Sequence, residues 1–290
     1  MLSKKGNSVV FLVLIYLAAF FVGYLIFNLL SYLGPLWAML VADVVATIFV
    51  WLIGVLFKNS SVYDPYWSIT PPVIAIAWAV ILQSWNLPVL ILILALLIWS
   101  IRLTLNFFIG WPGMIHQDWR YGHLKKKSPK FWLVTNLMGI NMFPTLIVFA
   151  CMIPAFYLIN ADPKISFLSY IGFVLCLTAV VLQVISDEQM RAFKKSKKEG
   201  DHIEIGLWKY SRHPNYLGEV TLWWGVWIMQ IGVLPSLWQT VFAPIAMTLM
   251  FLFVSVPLME NYMKEKCPGY EEYKKRVSVF IPMPEKKNNN

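Results

Sequence analysis

The sequence predicts an all-α membrane protein, a polytopic transmembrane helical bundle of seven to eight spans, forming one integral membrane domain over residues 1–290. Three observations carry that expectation. Hydrophobic residues make up 59% of the chain and charged ones 13%, where a soluble domain has roughly 45–50% and about 25%. The apolar residues fall into long runs, most near the roughly 20 residues that cross a bilayer. Nearly all the basic residues lie in the gaps between alternate runs.

The runs are roughly 9–31, 36–57, 69–85, 88–110, 131–159, 166–187, 214–232 and 239–258. The first, Val9 to Leu30, exceeds the roughly 7–15 apolar residues of a cleaved signal peptide and reads as a span. Turn-forming residues separate several runs: Gly34-Pro35, Asn86 to Pro88, Trp111-Pro112-Gly113 and Asp162-Pro163. Segment 131–159 is long and contains Pro144 and Pro154, so a kink or tilt is expected there. Helices within 1–110 are expected to form a substrate cavity, and 166–290 a cofactor-binding region.

The formal charge of +9 follows the spans and does not point to nucleic acid. With eight crossings, all Lys and Arg except Arg102 and Lys164 fall on one side. The positive-inside rule then places both termini and the basic loops, about 111–130 and 188–213, in the cytoplasm. The membrane would be the cytoplasmic one in a bacterium or the endoplasmic reticulum in a eukaryote. Cys151, Cys176 and Cys267 show neither metal spacing nor a disulfide framework. No Gly-rich nucleotide loop, HExxH or CxxC is present.

The chemistry-bearing residues concentrate around Gly206–Trp227, GLWKYSRHPNYLGEVTLWWGVW. Pro214 suits the first position of a helix, where no backbone donor is needed. Arg212, His213, Asn215, Tyr216 and Glu219 then gather at the mouth of a membrane helix, where polar groups are costly unless they face a cavity or a partner. Upstream, Gln183, Asp187, Arg191 and Lys194 recur at spacings of four, four and three, so they share one helix face. That stripe is either an exposed helix end with an Asp187–Arg191 pair or a ligand face, with Lys194 and Arg212 gripping phosphate. Glu219 either pairs with Arg212 or serves a ligand. Asp43, Arg102 and Asp64 are charges within or beside spans, paired structurally or forming the polar floor of a substrate cavity. A phenol bonded to a carboxylate could donate a proton to a carbonyl oxygen. Asp64 with Tyr63 or Tyr66 are the catalytic candidates on that ground, and the sequence leaves the choice of tyrosine open.

The SRHPNYLGE segment, with GLW before it and WWG after it, resembles the C-terminal signature of the steroid 5-alpha-reductase family. YDPYW (63–67), DWRY (118–121) and FIP (280–282) also resemble a bacterial branch of that superfamily. The resemblance implies an oxidoreductase that uses NADPH to reduce a conjugated carbon–carbon double bond in a lipid-like substrate. It assigns the cofactor to Gln183, Asp187, Lys194, Asn215, Tyr216, Glu219 and Tyr262, with Arg212 and His213 in the RHP form of the motif. The family's usual count is nearer seven spans, and its catalytic Glu/Tyr pair has no match here. Isoprenylcysteine carboxyl methyltransferases share an RHPxYxG core and bind S-adenosylmethionine, so a membrane methyltransferase is the alternative. A non-catalytic lipid-binding or transport protein is a third reading.

Overall fold

A computed structural model describes residues 5–161 and 164–285. Lys4, the Asp162-Pro163 turn, Lys286, Lys287 and the Asn288–Asn290 tail lie outside the described residues. Helix dominates, and the one β-type contact among the described residues is an isolated bridge between Ser211 and Ser278. Among the described residues, six helices are long and apolar enough to cross a membrane: α1 (Lys5–Leu29), α2 (Pro35–Leu56), α4 (Leu87–Gly110), α6 (Trp132–Asn160), α7 (Phe167–Ser196) and α9 (Pro235–Lys266). Two of the expected spans form helices that fall outside this set. Helix α3 (Tyr66–Ile81) has 16 residues, about 24 Å at 1.5 Å per residue, short of a roughly 30 Å hydrocarbon core. Helix α8 (Pro214–Val233) opens on polar residues and carries Glu219. Two short helices, α5 (Trp119–Lys127) and α10 (Tyr270–Arg276), carry basic last turns.

Packing divides the chain into two compact units, residues 1–163 and 164–290. In the first, Gly34 (φ 82°) turns the chain between α1 and α2, which pack along each other. Leu12, Ile15 and Tyr16 of α1 bury against Ala46 and Val50 of α2 and against Val62 and Tyr66. The Tyr16 hydroxyl donates to the Val62 carbonyl at 2.7 Å, a partner that a buried phenol requires. The opposite face of α1 leaves Leu14 58% and Phe21 61% exposed, as lipid-facing side chains would be. Helix α3 packs on α4 and α6; Trp78, fully buried, meets Phe156 edge-on with centroids 5.1 Å apart.

Helix α6 contains a π-helical turn at Asn136–Met142, and α9 contains one at Phe251–Ser255. Each ends two residues before a proline, Pro144 and Pro257. A proline ring clashes with the carbonyl four residues back, and widening the helix just before it relieves that clash. In α6 the Asn141 side-chain amide also donates to the Asn136 carbonyl at 2.8 Å, within this turn.

The second unit is built on α7 against α8. Gly218, Gly225 and Gly232 recur every seven residues and therefore share a face of α8. A β-carbon on Gly225 would lie 2.6 Å from Cys176 Sγ and 2.8 Å from the Gly172 carbonyl oxygen. On Gly218 it would lie 2.9 Å from the Ala179 carbonyl oxygen. These glycines let two backbones approach closely, the contact that drives helix association where lipid removes the hydrophobic incentive.

Candidate functional site

The GLWKYSRHP segment is fixed at both ends by backbone contacts. Gly206 has φ 59°, and a β-carbon there would fall 2.3 Å from the Gln189 amide. That close approach lets Gln189 Oε1 accept from the Leu207 N–H at 2.9 Å. The Trp208 indole donates to the Ser186 carbonyl at 3.1 Å, and the Tyr273 hydroxyl donates to the Trp208 carbonyl at 2.5 Å. The chain then runs beside residues 277–279, with the Arg212 N–H bonded to the Ser278 carbonyl at 2.9 Å. Pro214 begins α8 at its first turn.

Arg212 and His213 converge on Glu260, a residue of α9 that the sequence reading does not single out. Arg212 Nε lies 2.8 Å from Glu260 Oε1, His213 Nε2 3.2 Å from the same oxygen, and Lys274 Nζ 2.8 Å from Oε2. Arg212 also donates to the Lys274 and Val277 carbonyls. Arg212, His213 and Glu260 are all buried. Burial holds the His213 imidazole below its usual pKa, although Glu260 pulls it upward. The His213 ring stacks on Tyr216 at 5.1 Å with planes 6° apart, and Tyr216 in turn meets Phe251 at 4.9 Å.

Beside this clamp, α7 and α8 bring Gln183 to the turn of α8 that carries Asn215 and Glu219. Gln183 is fully buried, its Cγ sits where a Gly218 methyl would be, and neither its amide nitrogen nor its oxygen has a partner. Asn215 Oδ1 is likewise buried and unpartnered. Glu219 is buried, Asp187 and Tyr262 are half-buried, and Lys194 is exposed in the last turn of α7. Arg191 of the expected stripe forms an ion pair with Glu188.

In the first unit the side chains of the three expected catalytic residues do not hydrogen-bond one another. Tyr63 shares a hydrogen bond with Thr145 at 2.7 Å, and the Tyr66 hydroxyl reaches Asp43 at 3.5 Å. The phenol on Asp64 is Tyr121, of the DWRY motif. Burial pushes the Asp64 carboxyl up to about 6, while the Arg120 charge and the Tyr121 bond hold it down. Asn59 and Ser61 lock the loops together: the Asn59 amide donates to the Met114 carbonyl at 2.7 Å, and Ser61 Oγ accepts from the Asp118 N–H at 2.9 Å. A carboxylate 57 residues from its phenol gives no signal in local spacing.

An uncharacterized protein of Schizosaccharomyces pombe is 24% identical to the chain over 260 residues, covering 80% of this chain and 75% of its own. The protein-S-isoprenylcysteine O-methyltransferase of Saccharomyces cerevisiae is 28% identical over 179 residues, 56% of this chain and 71% of the yeast protein. Methanethiol S-methyltransferase 1 of Bradyrhizobium diazoefficiens is 36% identical over 77 residues, 26% of this chain and 24% of that protein. No solved structure matches the chain.

These relatives correct the reading drawn from the motif. Membership of the steroid 5-alpha-reductase superfamily, an oxidoreductase activity and NADPH as cofactor are all overturned, since both relatives with a named activity are methyltransferases. The physical reason lies in what the motif does. Arg212 and His213 close on Glu260, and Gly218 admits α7, so these residues of the motif serve packing and ion pairing that a fold can keep whichever cofactor it binds. The chain matches, over residues 50–277, the family described as Protein of unknown function (DUF1295), and it belongs to that family.

Proposed function

We propose that this protein is a membrane methyltransferase that uses S-adenosylmethionine and acts on a lipid-like acceptor. The observation that carries the reading is the similarity to the yeast isoprenylcysteine methyltransferase over more than half of the chain. The second unit offers groups that fit such a donor. A buried amide left unpaired costs about 1–3 kcal/mol, and a ligand's polar edge on Gln183 and Asn215 would remove that cost. Glu219 supplies a carboxylate for hydroxyl or ammonium groups, and the stacked His213 and Tyr216 rings supply a flat π surface that favours positive charge. S-adenosylmethionine, when bound, supplies a methyl group on a positively charged sulfur. The chain's own task is then to align the acceptor and exclude water, and alignment alone can change a rate about a hundredfold.

Gln183→Met tests this with opposite signs in two measurements. Without ligand, the thermal midpoint in detergent should hold or rise, because an unpaired buried amide is replaced by an apolar side chain of similar length. Binding of S-adenosylmethionine, measured by calorimetry, should weaken about tenfold or more, the loss expected for a hydrogen bond to a charged or polar ligand group. Unchanged affinity would remove Gln183 from the site, and absence of any donor binding by the unaltered protein would overturn the methyltransferase reading.

We also infer that α3 and α8 cross the membrane. The basic loops after α4 and α7 share a side with the N-terminus only if α3 crosses, and the basic tail after α9 joins them only if α8 crosses; the positive-inside rule favours both. Reporters fused after Lys127 and after Lys198 should then both read cytoplasmic, and one at Lys164 external. External readings at both Lys127 and Lys198 would reject a crossing α3, and an external reading from a reporter after Arg276 would reject a crossing α8.

A further inference from the structure

Within the first unit, α2, α3 and α6 enclose a small cavity at the level of Asp43. Asp43 lies eight residues into α2, about 12 Å along a helix axis, so it sits deep within a spanning segment. It is only 7% exposed, and among the described residues its one polar partner is the Tyr66 hydroxyl, at 3.5 Å. No described Lys or Arg pairs with it. An ionisable residue at such depth is costly and marks a ligand or ion site by default; a carboxylate there needs a proton or a cation.

The rest of the lining is rich in acceptors and aromatic surface. Thr145 joins Tyr63 and Thr47 in a hydroxyl chain, at 2.7 and 3.1 Å, and its own hydroxyl reaches the Asn141 carbonyl at 2.9 Å. Pro71 has no N–H, so the Trp67 carbonyl on the same turn of α3 lacks its usual helical donor. Trp67 and Phe149 face the cavity as ring walls, and Ile74, Val148 and Met152 close it with apolar side chains. A carboxylate beside hydroxyl groups and aromatic side chains suits a group that is positively charged and carries several N–H donors. They do not suit an anion.

We propose that this cavity binds the protonated amino group of an amphiphile whose apolar chain lies among the neighbouring helices. Binding is measured without any methyl donor, so it stands or falls separately from the methyl-transfer reading.

The experiment uses the full chain in nanodiscs of zwitterionic lipid, with empty nanodiscs as the blank. Radiolabelled dodecylamine should show a saturable component that unlabelled dodecylamine displaces and dodecanol, of equal chain length, does not. Asp43→Asn should weaken that component about tenfold or more, the loss expected when a charge-assisted hydrogen bond becomes neutral. Equal displacement by the alcohol, absence of saturation, or full retention of affinity in Asp43→Asn would each overturn the proposal. If Asp43→Asn fails to fold, the competition between amine and alcohol on the unaltered protein still decides.

Discussion

Glu260→Ala is expected to destabilise the second unit by about 3–5 kcal/mol, the loss typical when one member of a buried ion pair is removed. The size follows from what remains. Arg212 would stay buried with its charge answered only by the Lys274 and Val277 carbonyls. Lys274, 41% exposed, can turn to solvent and adds little to the cost. Replacing both partners by apolar residues, as in Arg212→Met with Glu260→Leu, should recover most of the loss, because no buried charge is stranded. Thermal unfolding of the three proteins in one detergent, followed by tryptophan fluorescence, makes the comparison. A single variant within about 1 kcal/mol of the parent would mean that the pair is solvated in practice, with a strength like that of surface pairs.

Gly225→Ala should be the next most damaging change, costing about 1–3 kcal/mol as overpacking does. Its new methyl would meet the backbone oxygen of Gly172, which cannot rotate aside as a side chain could. The control is Gly122→Ala in α5, where nothing lies within 4 Å; there the added methyl should stabilise the helix by up to about 1 kcal/mol. The two midpoints should therefore move in opposite directions, and movement in the same direction would show that α7 and α8 are not in the close contact described.

Helical membrane character was legible because it rests on composition and run length, which no tertiary contact alters. The grouping of Gln183, Asn215 and Glu219 was legible in part, because helical spacing alone puts residues on faces. What remained hidden involves distant pairs. Glu260 lies 48 residues from Arg212, and Tyr121 lies 57 from Asp64; only the fold brings them together. The heptad of glycines in α8 was visible as letters, but its meaning depended on Gly172 and Cys176 in α7. The cofactor was misread for a related reason. Arg212 and His213 look like ligand groups in a motif, and in the fold their charge and hydrogen bonds are spent on Glu260.

The π turn in α6 makes the effect of losing a residue depend on where it is lost, in a way the helix's hydropathy never reveals. Such a turn accommodates one residue more than an α-helical turn. Losing one residue from 136–142 would let the turn close to an α-helical one and leave the residues after it on the faces they hold now, whereas the same loss in the regular helix that follows would rotate everything beyond it by about 100°. Only in the second case would Phe149 swing away from Asp43, and the expected topology would be the same in both. For relatives aligned through this helix, a single gap at the wide turn is therefore absorbed, and a gap a turn later sets residues that look equivalent against different neighbours.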